Sequence, residues 1–119
     1  MNFLPSSEIT ECYDHPIGVA NTAKIPDAKI TASSENGNNF KAAFGRLNGN
    51  RGDGWCSKSA SSNKEWLQVD LGKSYSVCAV ATQGDRNGNE WVTKFKLLSA
   101  WEGTSWRVYQ GDRDRKSVV

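Results

Sequence analysis

Along this chain, apolar positions recur at a spacing of two far more often than at a helical spacing. In Glu65–Leu71, Trp66, Gln68 and Asp70 fall on one face and Leu67, Val69 and Leu71 on the other. That alternation predicts a strand with one buried face. Val77–Thr82 is a mostly apolar run, which predicts a strand covered on both sides. In Trp91–Ser99, Val92, Lys94, Lys96 and Leu98 oppose Trp91, Thr93, Phe95 and Leu97, and Trp106–Tyr109 reads as a further short strand. Helical spacing is confined to a turn or two around Phe40-Lys41-Ala42-Ala43-Phe44. Clusters of Gly, Asn and Ser at 35–39, 48–54, 84–89 and 102–105 punctuate the strands. Short strands joined by polar turns predict an all-β fold, an antiparallel sandwich or barrel. Its loops are long relative to its strands, and such loops on a rigid scaffold are where binding residues sit.

The length of 119 residues suits one domain with one modest core, without internal repeat, linker or low-complexity segment. Hydrophobic content is only 37%, but five Trp, three Tyr and four Phe supply large apolar areas, so the chain is expected to be globular. Trp55, Trp66, Trp91, Trp101 and Trp106 are expected to pack in the core. A net charge of +2 is small, and Lys and Arg stand mostly beside Asp or Glu, which argues against nucleic acid as a partner. No apolar run approaches the ~18 residues of a membrane span. The start, Met1-Asn2-Phe3-Leu4-Pro5, lacks the basic and apolar regions of a signal peptide, as in a cytosolic protein or a fragment. Of the three cysteines, no two have the spacing of a zinc ribbon or redox motif. Cys56 and Cys78 bracket a strand-like segment and are expected to form a disulfide, the alternative being two buried thiols. Cys12 is then left over.

The inventory for catalysis is poor. His15, the single histidine, sits beside Pro16 with no nucleophile in view, and reads as a turn residue. No nucleophile elbow, phosphate-cradling loop or zinc-protease motif occurs. Asp112 and Asp114 are paired carboxylates in a polar turn, without the apolar setting that raises a carboxyl pKa. Two other readings concern residues 48–53. Arg51-Gly52-Asp53 spells the tripeptide that integrins read, whose cation and carboxylate must splay from an exposed turn; the tripeptide also arises by chance, and Gly54-Trp55 is positioned to fold back into the scaffold. Asn48, Asn50 and Asp53 offer oxygens of the type calcium takes, but a turn stabilised by its own Asn and Asp side chains is the preferred reading, and no cofactor is assigned.

Several ordered motifs together resemble the discoidin (F5/8 type C) family. They are Ile17-Gly18-Val19, Ile25-Pro26-Asp27-Ala28-Lys29-Ile30-Thr31-Ala32-Ser33-Ser34, Gly45-Arg46-Leu47-Asn48 and Trp55-Cys56. Glu65 to Gly72, Ala81-Thr82-Gln83-Gly84, Glu90-Trp91-Val92-Thr93 and the Gly111-Asp112-Arg113-Asp114-Arg115 turn continue in the same order. The resemblance divides the chain into an amino-terminal extension, 1–11, and an incomplete discoidin domain, 12–119. It implies an extracellular or secreted, jelly-roll-like sandwich of the galactose-binding-domain type, within a longer parent. It also implies that closing strands are missing, together with the terminal cysteine that pairs with the counterpart of Cys12. Relatives bind galactosides, collagens, growth factors or anionic phospholipids through loops at one end of the barrel.

Those loops correspond to 20–24, 35–40 and 85–90. Phospholipid-binding relatives carry exposed Trp or Leu at the tips; here only Phe40 is apolar, and one Phe supplies too little for stable anchoring, so membrane insertion is disfavoured. Collagen-binding relatives carry a Trp in the second loop with an Asp, an Arg and a Glu around it; Asp53, Arg86 and Glu90 fall at or near matching positions, but the Trp has no match in 35–39. A polar rim remains, Asn36, Asn38, Asn39, Asp53, Asp85, Arg86, Asn87 and Glu90, suited to sugar hydroxyls or a charged peptide. The resemblance thus implies a non-catalytic recognition and cell-adhesion module for a glycan or an extracellular protein. The alternatives are a peripheral binder of anionic phospholipid, or an accessory binding domain of a larger enzyme or receptor.

Overall fold

The computed structural model describes residues 15–59 and 61–109. Within them the regular elements are strands and single turns of 3-10 helix, as the spacing-of-two pattern requires. Pro26, with its fixed φ, leads into a 3-10 turn, Asp27–Lys29, that feeds strand β1, Ile30–Ala32. β1 pairs antiparallel with β2, Leu67–Val69, in the register Ile30↔Val69, Thr31↔Gln68 and Ala32↔Leu67. The ladder runs on at both ends, Ser33 N–H donating to Trp66 O (3.0 Å) and Asp70 N–H to Lys29 O (2.8 Å). A second antiparallel pair joins β3, Leu98–Ser99, to β4, Arg107–Val108, and is lengthened by Tyr109 N–H to Leu97 O (2.7 Å).

The expected helical turn is present as a 3-10 turn, Ala42–Phe44, packed against β1. Ile25, Ile30 and Ala42 are the buried apolar core, with Val19, Ala32, Trp55, Val69 and Leu71 closing around them. The alternation read from Glu65–Leu71 is visible here in part: Val69 and Leu71 face this core and Asp70 points to Lys29 (3.3 Å), but Leu67, expected on the buried face, is 38% exposed.

Three expectations are corrected. Val77–Thr82 is not a strand covered on both sides: only Val80 is half-buried, and no other strand among the described residues lies against it. The regular part of Trp91–Ser99 is only Leu98–Ser99. Of the five tryptophans only Trp55 joins the core, its indole N–H donating to Ser34 O (2.9 Å). Trp66, Trp91, Trp101 and Trp106 are 48%, 67%, 83% and 44% exposed. A periodic pattern marks which face is apolar, but burial needs a second layer over that face, and among the described residues that layer exists only around β1 and β2.

The cysteine pairing is also corrected. Cys56 carries a free thiol and Cys78 is disulfide-bonded, so the two do not bridge each other. Cys56 is held in its loop, its carbonyl accepting from Asn36 N–H (2.9 Å) and its thiol directed at Ser57 O (3.4 Å). Cys12, residues 1–11 and the 111–115 turn lie outside the described residues.

Candidate functional site

Four loops converge beside the β1–β2 core, and each is shaped by side-chain bonds to its own backbone. In the first, Asn21 Oδ1 accepts from Ala23 N–H (2.8 Å), an Asx turn. The second is closed by Glu35, whose carboxylate accepts from Ala42 N–H (2.5 Å) and Lys41 Nζ (3.4 Å), drawing 35–42 into a loop. The Ala42 amide foremost, then Lys41, holds that carboxyl below its ordinary range. In the third, 48–54, which lies outside the three expected ligand loops, Asn48 takes a left-handed φ of 54°, which Asn tolerates better than most residues. In the fourth, Asp85 Oδ1 accepts from Asn87 N–H (2.8 Å) and Asp85 N–H donates to Glu90 O (2.8 Å), closing 85–90 as a hairpin-like turn.

Bonds between the second, third and fourth loops make one rim of them. Asp53 N–H donates to Asn39 O (2.9 Å), and Asn87 Nδ2 donates to Asp53 Oδ1. Asn48 and Gln83 exchange two bonds, Asn48 N–H to Gln83 Oε1 (2.7 Å) and Gln83 Nε2 to Asn48 Oδ1 (3.1 Å). Asn39, Asp53, Asp85, Asn87 and Glu90 are thereby connected. Arg86 lines a depression of about 460 Å³ with Asp85, Gln83, Gly84, Asn48 and Gly49, and no ion pair among the described residues engages it. Asn36 is tied through its backbone to Cys56, and Asn38 stands exposed in the same loop. Of the oxygens weighed for calcium, Asn48 Oδ1 and Asp53 Oδ1 already accept bonds, and Asn50 lines a neighbouring depression. The described residues hold no cluster of three or more His, Cys, Asp or Glu that could bind a metal ion.

Beneath the rim lies an ionic strut that sequence reasoning passes over. Asp27 accepts from two arginines: Arg46 Nη2 at 2.7 Å, and Arg51 through a two-pronged fork at 2.7 and 2.8 Å. Arg46 is only 7% exposed and also donates to Val19 O (2.6 Å), pinning the first loop to the third. Arg51 lies over the Phe44 ring, 5.3 Å from its centroid. The guanidinium of Arg51 first, then that of Arg46, holds the Asp27 carboxyl far below the usual carboxylate range. Asp27 falls in the Ile25–Ser34 motif and Arg46 in Gly45–Asn48, so the two partners were visible, but nothing local pairs them across 19 positions.

The Arg-Gly-Asp tripeptide is part of this strut. Its cation is committed to Asp27 and its carboxylate accepts from Asn87. Gly52 takes a φ of 57°, and a Cβ there would run into the Asn39 carbonyl and the Phe44 ring.

A family model, the F5/8 type C domain, matches residues 29–118. The chain is 38% identical over 117 residues to lactadherin of Rattus norvegicus; the match covers 90% of this chain and 26% of lactadherin. The chain thus spans about a quarter of the length of that relative. No solved structure matches it. No helix among the described residues is long and apolar enough to cross a membrane. The all-β architecture and the family match agree: the chain belongs to the F5/8 type C, or discoidin, domain family, whose members are extracellular binding modules.

Proposed function

We propose that the chain is a non-catalytic, extracellular recognition module that binds a glycan or an extracellular protein through its polar loop rim. The observation that carries this reading is the cross-bonded rim itself, with Asn39, Asp53 and Asn87 tied together beside an Arg86 that no ion pair among the described residues occupies. A preorganised set of donors and acceptors around a depression loses little freedom when a hydroxyl-rich ligand arrives. Arg86 donates, and Glu90 and the exposed amides of Asn36, Asn38 and Asn87 accept or donate. Phe40, the one apolar residue of the second loop, is half-buried rather than presented, which supports a polar ligand over insertion into a bilayer. The integrin reading of Arg51-Gly52-Asp53 is not adopted, because both of its charged groups are occupied within the chain.

A glycan array probed with the full chain tests the proposal, with Arg86→Ala and Glu90→Ala as controls. Each substitution is expected to weaken binding about tenfold or more, as one bond to a charged group contributes about 1.5–3 kcal/mol. Unchanged affinity in both variants refutes the site. Tight binding to phosphatidylserine liposomes without sugar binding refutes the ligand class.

A further inference from the structure

The depression at the rim has a neighbour across the Asn48–Gly49 backbone. This second lobe, about 170 Å³, is lined by Thr22, Phe44, Arg46, Asn50 and Arg51 among others, and Asn48 and Gly49 line both lobes. No acidic side chain lines it. Two guanidinium groups at its wall share a single carboxylate, Asp27, which among the described residues leaves one positive charge uncompensated. Arg46, with its side chain 4% exposed, also keeps a buried Nε that has no hydrogen-bond partner. That Nε is sealed from the lobe, but a cation withdrawn from solvent is screened less by salt than an exposed one. Beside the apolar Ala20, Ala43 and Phe44, the wall carries the Thr22 hydroxyl and the Asn50 amide, groups that hydrogen-bond sugars.

We propose that this lobe is an acid subsite, and that the groove takes a glycan bearing a carboxylate or sulfate. The acidic group lies at the Arg46–Arg51 lobe, and the neutral hydroxyls of the same glycan lie along Gln83, Asp85 and Arg86. The inference rests on the recognition reading above and narrows its ligand to one chemical class. An anionic lipid headgroup offers a similar charge, and vesicle binding separates the two sources.

Titration calorimetry of the full chain with galactose, galacturonate and a sulfated galactose tests it, at low and at physiological salt. The acidic sugars are expected to bind about tenfold more tightly than galactose, with the gap narrowing as salt rises. Asn50→Asp places a carboxylate at the lobe without touching the bonds to Asp27, and is expected to abolish the preference. Equal affinity for galactose and its acids, or a preference that survives Asn50→Asp, overturns the inference and leaves the recognition reading standing. Failure to bind any of these sugars overturns the inference and leaves the recognition reading to a protein ligand. Binding to phosphatidylserine vesicles that Asn50→Asp weakens, with no competition from galacturonate, makes lipid the occupant and also overturns it.

Discussion

Replacing Arg46 with Met isolates the strut on which the loop rim stands. Arg46 makes two short bonds, to Val19 O at 2.6 Å and to Asp27 at 2.7 Å, from a side chain that is almost wholly buried. Bonds from a charged donor contribute about 1.5–3 kcal/mol each, so their loss costs about 4 kcal/mol. Against this, the unpartnered Nε is a native-state penalty of about 1–3 kcal/mol that Met removes. Asp27 is not orphaned, because Arg51 still forks onto it. The unbranched Met side chain fills the vacated space adaptably. The net expectation is a loss of about 1–3 kcal/mol, a substantial fraction of the roughly 5–15 kcal/mol that holds a domain together. Arg46→Lys keeps the charge but lacks the planar fork that reaches both acceptors, so it is expected to recover less than half of the loss. Urea unfolding followed by tryptophan fluorescence measures both, with the midpoint falling and the slope unchanged. A loss below about 1 kcal/mol in Arg46→Met refutes the strut as a stabilising element.

Further outcomes rest on other features of the same region. Gly52→Ala adds a Cβ at a left-handed φ against the Asn39 carbonyl and the Phe44 ring, and is expected to cost more than the ~1 kcal/mol of conformation alone; an unchanged melting temperature contradicts the packing. Four carboxyls titrate below their ordinary values: Asp27 through Arg51 and Arg46, Glu35 through the Ala42 amide and Lys41, Glu65 through the Ser33 and Ser34 hydroxyls, and Asp70 through the Gly72 amide and Lys29. A carboxyl whose folded pKa is depressed adds stability above its unfolded pKa and loses it as pH falls through the folded one. Melting temperature is therefore expected to hold between about pH 5 and 8 and to fall below about pH 4, and Glu35→Gln should flatten part of that fall. Under native, non-reducing conditions, iodoacetamide is expected to label Cys56 and not Cys78, as peptide mapping reads; labelling of Cys78 before reduction contradicts its bonded state.

The sequence by itself determined the class of the fold and the places where loops interrupt it. Alternation is a local signal, and it located β2 within Glu65–Leu71, where Val69 and Leu71 have Ile25, Ile30 and Ala42 to pack on while Leu67 stays exposed. Glycine and asparagine clusters found the turns for the same local reason, since left-handed and Asx geometry depends on the residue itself. What the tertiary structure alone decided is which groups meet. Asp27 and Arg51 are 24 positions apart, Asp53 and Asn87 are 34 apart, and no pattern within a window joins them. The same limit let Trp91 and Trp101 pass for core residues and Cys56 for the partner of Cys78. Burial and pairing are properties of neighbours brought from elsewhere in the chain. A tripeptide that reads locally as a splayed cation and carboxylate can therefore become, once folded, an internal brace.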